Sequence, residues 1–456
     1  MRGGRARLLA AAAACAAVLG AQTVALADAP NDPGFNQQWA LTGSPSSIHA
    51  PQAWCANLGG VLVADVDTGA DFKHPDLAGK LIAGARFTSG RGDSSHPDAV
   101  GQQAVQDDHG HGTMTTGIMV ADTNNGMGIS GVAPDAKALI VKVLVPDNSG
   151  SASGNGVDVA AGIRYAADYP GVRVINLSIG SDIPTLLGIS VFSSPIPAAI
   201  DYASQHGVLV VAAAGNNYGN QTEYTSVENE ALVAGALARN GAAASYSSSG
   251  SNIDAPGGDA PATSGATPDV SILSTWWDPN TRSSAYAAGD GTSFAAPQVA
   301  GTAAMLMARG LTAAQARQTI LDTANGKHLN AAAALGRADN GPACPPAATG
   351  APPPNGGGLN VKPATPPKAA QSSRPKTPAA PAQVAAAPSP SPSPSPSPSP
   401  TASPSPAQEP DTLPSPRVLA HAPAGGGSIP APIIALVAIV GIGGGYAGLK
   451  LFTILR

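Results

Sequence analysis

Cysteine is nearly missing from this chain, at three residues in 456 and with no CxxC pair among them. Neither a disulfide-knit scaffold nor a structural zinc site can therefore carry the fold. Aromatic residues make up only 4% and charged residues only 12% of the sequence, with a formal net charge of −5. No basic face exists against which a phosphate backbone could release counterions, so nucleic acid is excluded as a partner. Proline is sparse until Gly341, after which more than half of the 44 prolines fall. That division leaves one large globular region followed by a stretch whose composition cannot pack a core.

What is present at the two ends concerns export and anchoring. Arg2, Arg5 and Arg7 precede an apolar run from Leu8 to Gly20, and Ala25-Leu26-Ala27 closes it. This pattern predicts a signal peptide over 1–27. A transmembrane reading of the run needs about 20 apolar residues and meets Gln22 and Thr23 too early. Cys15 follows Ala12 by three positions, where lipidation would want a larger aliphatic residue. Residues 28–50 read as an N-terminal extension and 51–341 as the globular domain. Residues 342–428 are Pro, Ala, Ser and Gly in the main, with an unbroken Pro-Ser alternation from Pro388 to Pro400. Such a linker favours polyproline II and acts as a spacer. Ile429 to Leu449 carries no charge and is long enough to span a bilayer, and Lys450 and Arg456 assign residues 450–456 to the cytoplasmic side. The expected location is the cell membrane, single-pass, with the globular domain extracytoplasmic. Cys55 and Cys344 would then meet an oxidising compartment, and a disulfide between them is expected, the alternative being two unpaired buried thiols.

Within the globular region, short apolar runs recur at Val61–Val66, Ala138–Leu144, Val172–Leu177, Val208–Ala214 and Ala231–Leu237, separated by helix-like stretches such as Val157–Ala167 and Ile196–His206. Nearly continuous apolar strands alternating with helices predict an α/β fold with a mainly parallel sheet covered on both faces. In such sheets function gathers beyond the carboxyl ends of the strands. Those ends carry Asp67-Thr68-Gly69, then Asp108-His109-Gly110-His111-Gly112-Thr113 opening a helix, Ala213-Ala214-Gly215-Asn216, and Gly291-Thr292-Ser293-Phe294-Ala295-Ala296-Pro297 before a long apolar helix. An acid, an imidazole, an amide and a hydroxyl are thus all presented at element ends.

Taken singly these strings are modest signals, since DTG also follows strands in other contexts and HG is usually a turn. Their order and placement together resemble the subtilase family of serine endopeptidases. Ala50-Pro51-Gln52-Ala53-Trp54, His74-Pro75-Asp76-Leu77, Gly131-Val132-Ala133-Pro134 and Asn176-Leu177-Ser178-Ile179-Gly180 extend the resemblance over most of the globular region, with several strings particularly similar to thermitase. It implies the three-layer subtilisin-like fold, and it implies Ser293 as nucleophile, His111 as general base and Asp67 as the carboxylate that orients the imidazole. Asn216 would supply an oxyanion donor beside the backbone N–H of Ser293. Ser178, Ile179 and Gly180 would offer the edge on which an extended protein or peptide substrate adds as a strand. For Ser178 the plainer reading is that it ends a strand.

His109 competes with His111, but the HGT string favours His111 and leaves His109 as a solvated loop residue. Asp71 and Asp76 read as surface carboxylates. Ser181–Pro195 and the Trp276-Trp277 pair either shape substrate preference or pack. Asp65 departs from the family, which usually has an aliphatic residue there; it points to the same side as Asp67 and has a local structural role, with a partner the sequence does not name. No cofactor or metal is required. A structural calcium of the thermitase kind would use Asp32 and Asn125, but the third, carboxylate position aligns with Arg86, a cation that disfavours it. Too few residues lie between Ala27 and Asp67 for a prodomain with a core of its own, and none is expected. Extension, peptidase domain, proline-rich stalk and terminal transmembrane helix together resemble the mycosins, membrane-anchored subtilases associated with type VII secretion. This resemblance implies secretion-system membrane components as partners. The alternatives are a general degradative surface protease and a structural scaffold of a secretion complex whose activity is dispensable.

Overall fold

The computed structural model describes residues 29–54, 61–147, 151–181, 195–260, 266–341, 343–344 and 417–420. Residues 1–27, read as a signal peptide, 429–449, read as a transmembrane span, and 450–456, read as a cytoplasmic tail, lie outside the described residues, as do Cys55 and nearly all of the linker. Among the described residues no helix is long and apolar enough to cross a membrane.

A short helix α1 (Ala50–Ala53) leads to strand β1 (Leu62–Asp67), followed by β2 (Leu81–Arg86), the short β3 (Ala99–Val100) and helix α2 (His111–Val120). Next come β4 (Lys137–Lys142), β5 (Val145–Pro146), β6 (Ala152–Asn155), α3 (Gly156–Asp168), β7 (Val172–Leu177) and the two-residue β8 (Gly180–Ser181). Helix α4 (Pro195–Gln205), β9 (Leu209–Ala213), β10 (Ala231–Leu237), β11 (Ile253–Pro256) and the hairpin strands β12 (Ile272–Asp278) and β13 (Ser283–Gly289) follow. The domain closes with α5 (Thr292–Ala308), α6 (Ala313–Thr323) and α7 (Ala331–Ala334), and β14 (Arg417–Ala420) comes from far downstream.

Eight strands form one sheet in the order β11-β10-β9-β7-β1-β4-β2-β3. Every pairing is parallel except that of the edge strand β3. β1 sits centrally and all six of its residues are buried, as a strand covered on both faces must be. Its side chains divide between two cores. Val63 packs into the layer holding α2 and α5, whereas Leu62, Ala64 and Val66 pack into the layer holding α3 and α4. The period of two places Asp65 and Asp67 on Val63's side, facing α2 and α5. These two helices have no solvent face, because α2 and all but the last residue of α5 are buried. They carry the HGT and GTS strings at their first turns. The extension contributes Phe35, Trp39, Leu41 and Ile48 to the same core, and the Trp39 indole N–H donates to the Ser271 carbonyl at 3.0 Å.

One stretch of the linker departs from a spacer: Arg417–Ala420 forms β14, lying between β6 and β8 and antiparallel to both. The sequence offers the reason. Arg417–Ala422 is free of proline between Pro416 and Pro423, so each residue keeps the N–H that a ladder requires.

Candidate active site

Asp67 ends β1, and His111 opens α2 behind Gly110. The loop between DTG and HGT must bring backbone against backbone. A Cβ on Gly112 would lie 2.1 Å from the Gly69 carbonyl oxygen, and Gly110 adopts φ +109, a left-handed conformation that glycine alone takes up easily. With these glycines in place the His111 Nδ1–H donates to Asp67, 2.8 Å from Oδ1 and 3.0 Å from Oδ2. The imidazole is fully buried. Burial alone would push it toward the neutral form, but the charge and hydrogen bond of Asp67, with Asp65 and Asp107 behind, hold its pKa above the ordinary value. Its other nitrogen, Nε2, is buried and has no hydrogen-bond partner.

Ser293 is the second residue of α5, and the His111 ring stands 5.7 Å from the Phe294 ring. The serine hydroxyl donates to the Ser178 carbonyl at 3.2 Å rather than to the open Nε2. Catalytic hydrogen bonds commonly close only when substrate arrives. Asn216 follows β9 at the same rim. Its amide oxygen accepts from the Thr292 backbone N–H at 3.0 Å and the Thr292 hydroxyl at 2.9 Å, which fixes the side chain and leaves its NH₂ as the group on offer. The Ser293 N–H lies in the first turn of α5, where helix geometry provides no internal acceptor. Ser178, Ile179 and Gly180 come next to this group through β7. The Ser178 hydroxyl donates to the Ser293 carbonyl at 2.7 Å, and Tyr224 OH donates to the Ile179 carbonyl at 2.7 Å. Ser178 therefore does more than end a strand.

Several residues that sequence reasoning passed over hold this arrangement. Buried Asp107 accepts the N–H groups of His109, Gly110 and Thr113, each at 2.9 Å, together with the hydroxyls of Thr68 and Thr113. Burial raises its pKa, yet the charge of Lys142 and these donors prevail and hold it below the usual carboxylate range. The Lys142 ammonium, buried opposite Asp67 on β4, donates to the Thr68 carbonyl and to Asp108. A carboxylate just ahead of a helix start was the available signal for Asp107.

Four expectations need correction. His109 is buried, not solvated, and its ring packs 6.4 Å from that of Trp276, which gives the tryptophan a packing role beside the imidazole. Asp71 and Asp76 are likewise buried rather than surface carboxylates. Asp71 accepts from the Ser284 hydroxyl and the Lys73 N–H. Asp76 accepts from Asn125, Ile129 and Tyr286, and burial raises its pKa. The carboxylate beside Asn125 is therefore Asp76, at 3.0 Å, and Arg86 instead stands on β2 opposite Ala99 and Lys142. Asp32 accepts from the Asn124 and Asn125 N–H groups and from Ser130. Asp32 and Asp76 thus hold the Asn125 loop from two sides, and the cation that the alignment placed in this cluster is not part of it. Asp65 gains the partners the sequence could not name: it accepts from Thr115 at 2.8 Å, Thr116 at 2.6 Å and Asn176 at 2.9 Å. Cys344 is disulfide-bonded, and its N–H donates to the Pro51 carbonyl at 2.9 Å. The expected other end, Cys55, lies outside the described residues.

Comparison with known proteins agrees with this geometry. The model of the subtilase family matches residues 59–343. Thermitase of Thermoactinomyces vulgaris is 39% identical over 297 residues, covering 65% of this chain and 91% of that protein. Subtilisin Savinase of Lederbergia lenta is 36% identical over 263 residues, covering 57% of this chain and 82% of the relative. Among solved structures, a protease from Pseudoalteromonas arctica superposes with a TM-score of 0.58 at 28% identity, covering 68% of this chain and 99% of that one. The chain belongs to the subtilase family and is a subtilisin-like serine peptidase.

Proposed function

We propose that this peptidase is a membrane-anchored, extracytoplasmic endopeptidase in which Ser293 attacks the substrate carbonyl, His111 takes the hydroxyl proton and returns it to the leaving amine, and Asp67 orients the imidazole and stabilises its charged form. The Asn216 amide and the Ser293 N–H stabilise the oxyanion, and the edge from Ser178 to Gly180 receives the extended substrate. Side chains and backbone supply all of this chemistry, so the reading needs no cofactor. The single observation that carries it is the buried His111, bonded through Nδ1 to Asp67 and left without a partner at Nε2, beside a serine at a helix start. A serine-directed fluorophosphonate is expected to label Ser293 in the wild-type protein. Labelling should vanish in Ser293→Ala and fall severely in His111→Ala, with peptide mapping as the readout.

Anchoring rests on Ile429–Leu449, export on the pattern of residues 1–27, and the Cys55–Cys344 bridge on the bonded state of Cys344 and the scarcity of other cysteines. Together with the proline-rich linker these features support a mycosin-like role beside a type VII secretion apparatus. Secretion that proceeds unchanged in Ser293→Ala but stops on deletion of the gene would favour the scaffold reading. Broad cleavage of unrelated unfolded proteins would favour the degradative one.

A further inference from the structure

Strands β6 and β8 stand one strand apart, and β14 fills the interval, giving a sheet in the order β5-β6-β14-β8. Along β6 the register pairs Arg417 with Asn155, Val418 with Gly154, Leu419 with Ser153 and Ala420 with Ala152. Along β8 it pairs Val418 with Ser181 and Leu419 with Gly180. β8 is the continuation of the edge that begins at Ser178, the residue whose carbonyl receives the Ser293 hydroxyl. A segment of this chain therefore lies along the edge assigned to substrate, added as a strand on both sides.

The direction of the added strand decides what it can do. It runs antiparallel to β8, so its chain proceeds from the Ser181 end toward the Ser178 end and hence toward Ser293. A serine nucleophile acylates itself with the residues that precede the broken bond, and those residues must reach it by their carboxyl end. Arg417–Ala420 is oriented that way. Leu419 pairs with Gly180, so Ala420, the carboxyl end of the strand, is directed to the Ser178 side of that pair. A segment bound in the reverse sense would present no such bond and would only obstruct the groove.

We infer that this peptidase takes its own chain as a substrate: Arg417–Ala420 docks as the acyl-side strand, and hydrolysis just beyond Ala420 frees the peptidase domain from the apolar segment Ile429–Leu449. The inference rests on the proposed role of Ser293. Ser293 Oγ adds to the carbonyl carbon, the peptide C–N bond breaks, and His111 passes the hydroxyl proton to the leaving amine. Water then opens the acyl ester, one new chain ends in a carboxylate and the other begins with an amine, and Ser293 is regenerated. Tethering makes the docking intramolecular, which raises its effective concentration without any new contact.

The test uses the full-length chain in membranes, followed by mass spectrometry of released protein and by fluorophosphonate labelling in parallel. A released fragment whose new carboxyl end lies between Ala420 and Ser428 is expected. It should be abolished in Ser293→Ala and reduced several-fold in Leu419→Pro, which removes one strand N–H while labelling of Ser293 stays intact. Labelling without such a fragment overturns this inference and leaves the reading of Ser293 standing, as would a chain that labels only after residues 417–420 are deleted. Absence of labelling in the folded protein, both as the wild type and with residues 417–420 deleted, overturns both.

Discussion

Two carboxylates two residues apart on β1 share one side of the strand and nearly complete burial, yet their surroundings differ in kind. Asp67 faces an imidazole that can take up a proton and become its counter-ion. Asp65 faces only neutral donors, the hydroxyls of Thr115 and Thr116 and the amide of Asn176. Burial, followed by the nearby charge of Asp67, pushes the Asp65 pKa to about 7, which its three donors do not offset. Position on the strand therefore does not decide the role of a buried acid. The protonation capacity of the group opposite does. Asn176 also donates to the Ser178 hydroxyl at 3.0 Å, so the Asp65 cluster braces the stretch that begins at Ser178 while Asp67 serves the imidazole.

The largest expected effect separates the two acids. Asp67→Asn should lower kcat on a peptide substrate by about 10⁴, the order found when a triad carboxylate is neutralised in its place, because the amide no longer enforces the right tautomer. Asp65→Asn, measured on the same substrate near neutral pH, should change kcat by a small factor only. Equal losses in both variants would erase the distinction between them.

A neutral side chain sharpens the contrast further. Asn216 carries no charge, but Thr292 fixes its amide, and placement rather than charge is what an oxyanion requires. Asn216→Ala should lower kcat by about 10² to 10³ with KM little changed, as when a subtilisin loses its side-chain oxyanion donor. A loss expressed mainly in KM would mean that Asn216 holds substrate in the ground state instead.

The parts of this molecule that could be read from sequence are those whose cause is local. Strand runs such as Val172–Leu177 and Ala231–Leu237 appear where their continuous apolar character placed them, because a strand buried on both faces must be apolar throughout. The strings around Asp67, His111, Asn216 and Ser293 were legible because each sits at an element end on one rim of the sheet. What escaped depends on contacts between distant segments. Asp71 and Asp76 are buried through Ser284 and Tyr286 of the β12–β13 hairpin, and nothing near them in the chain announces those donors. His109 looks solvated until the same hairpin brings Trp276 against it. β14 was the least legible, since its partners are two short edges of the groove and its flanks are rich in proline.

The smallest effect bears on Asp65 alone and is read in its pH dependence. Its carboxyl has a folded pKa near 7, above the value of about 4 expected in the unfolded chain. Between those limits the folded protein keeps a proton that the unfolded chain has released, so stability falls as pH rises through the interval. The loss is absent below about 4 and complete above about 7. An Asp65→Asn variant lacks this term. In a Ser293→Ala background, which prevents self-digestion, the Tm of the parent minus that of Asp65→Asn should therefore drop by a few degrees as the pH is raised across this range. The same substitution removes one of the charges that raise the pKa of His111, so the acid limb of kcat/KM in the active enzyme should move to lower pH by a fraction of a unit. A Tm difference that stays flat with pH would mean that Asp65 is ionised throughout. Its neutral neighbours would then be doing for it what an imidazole does for Asp67.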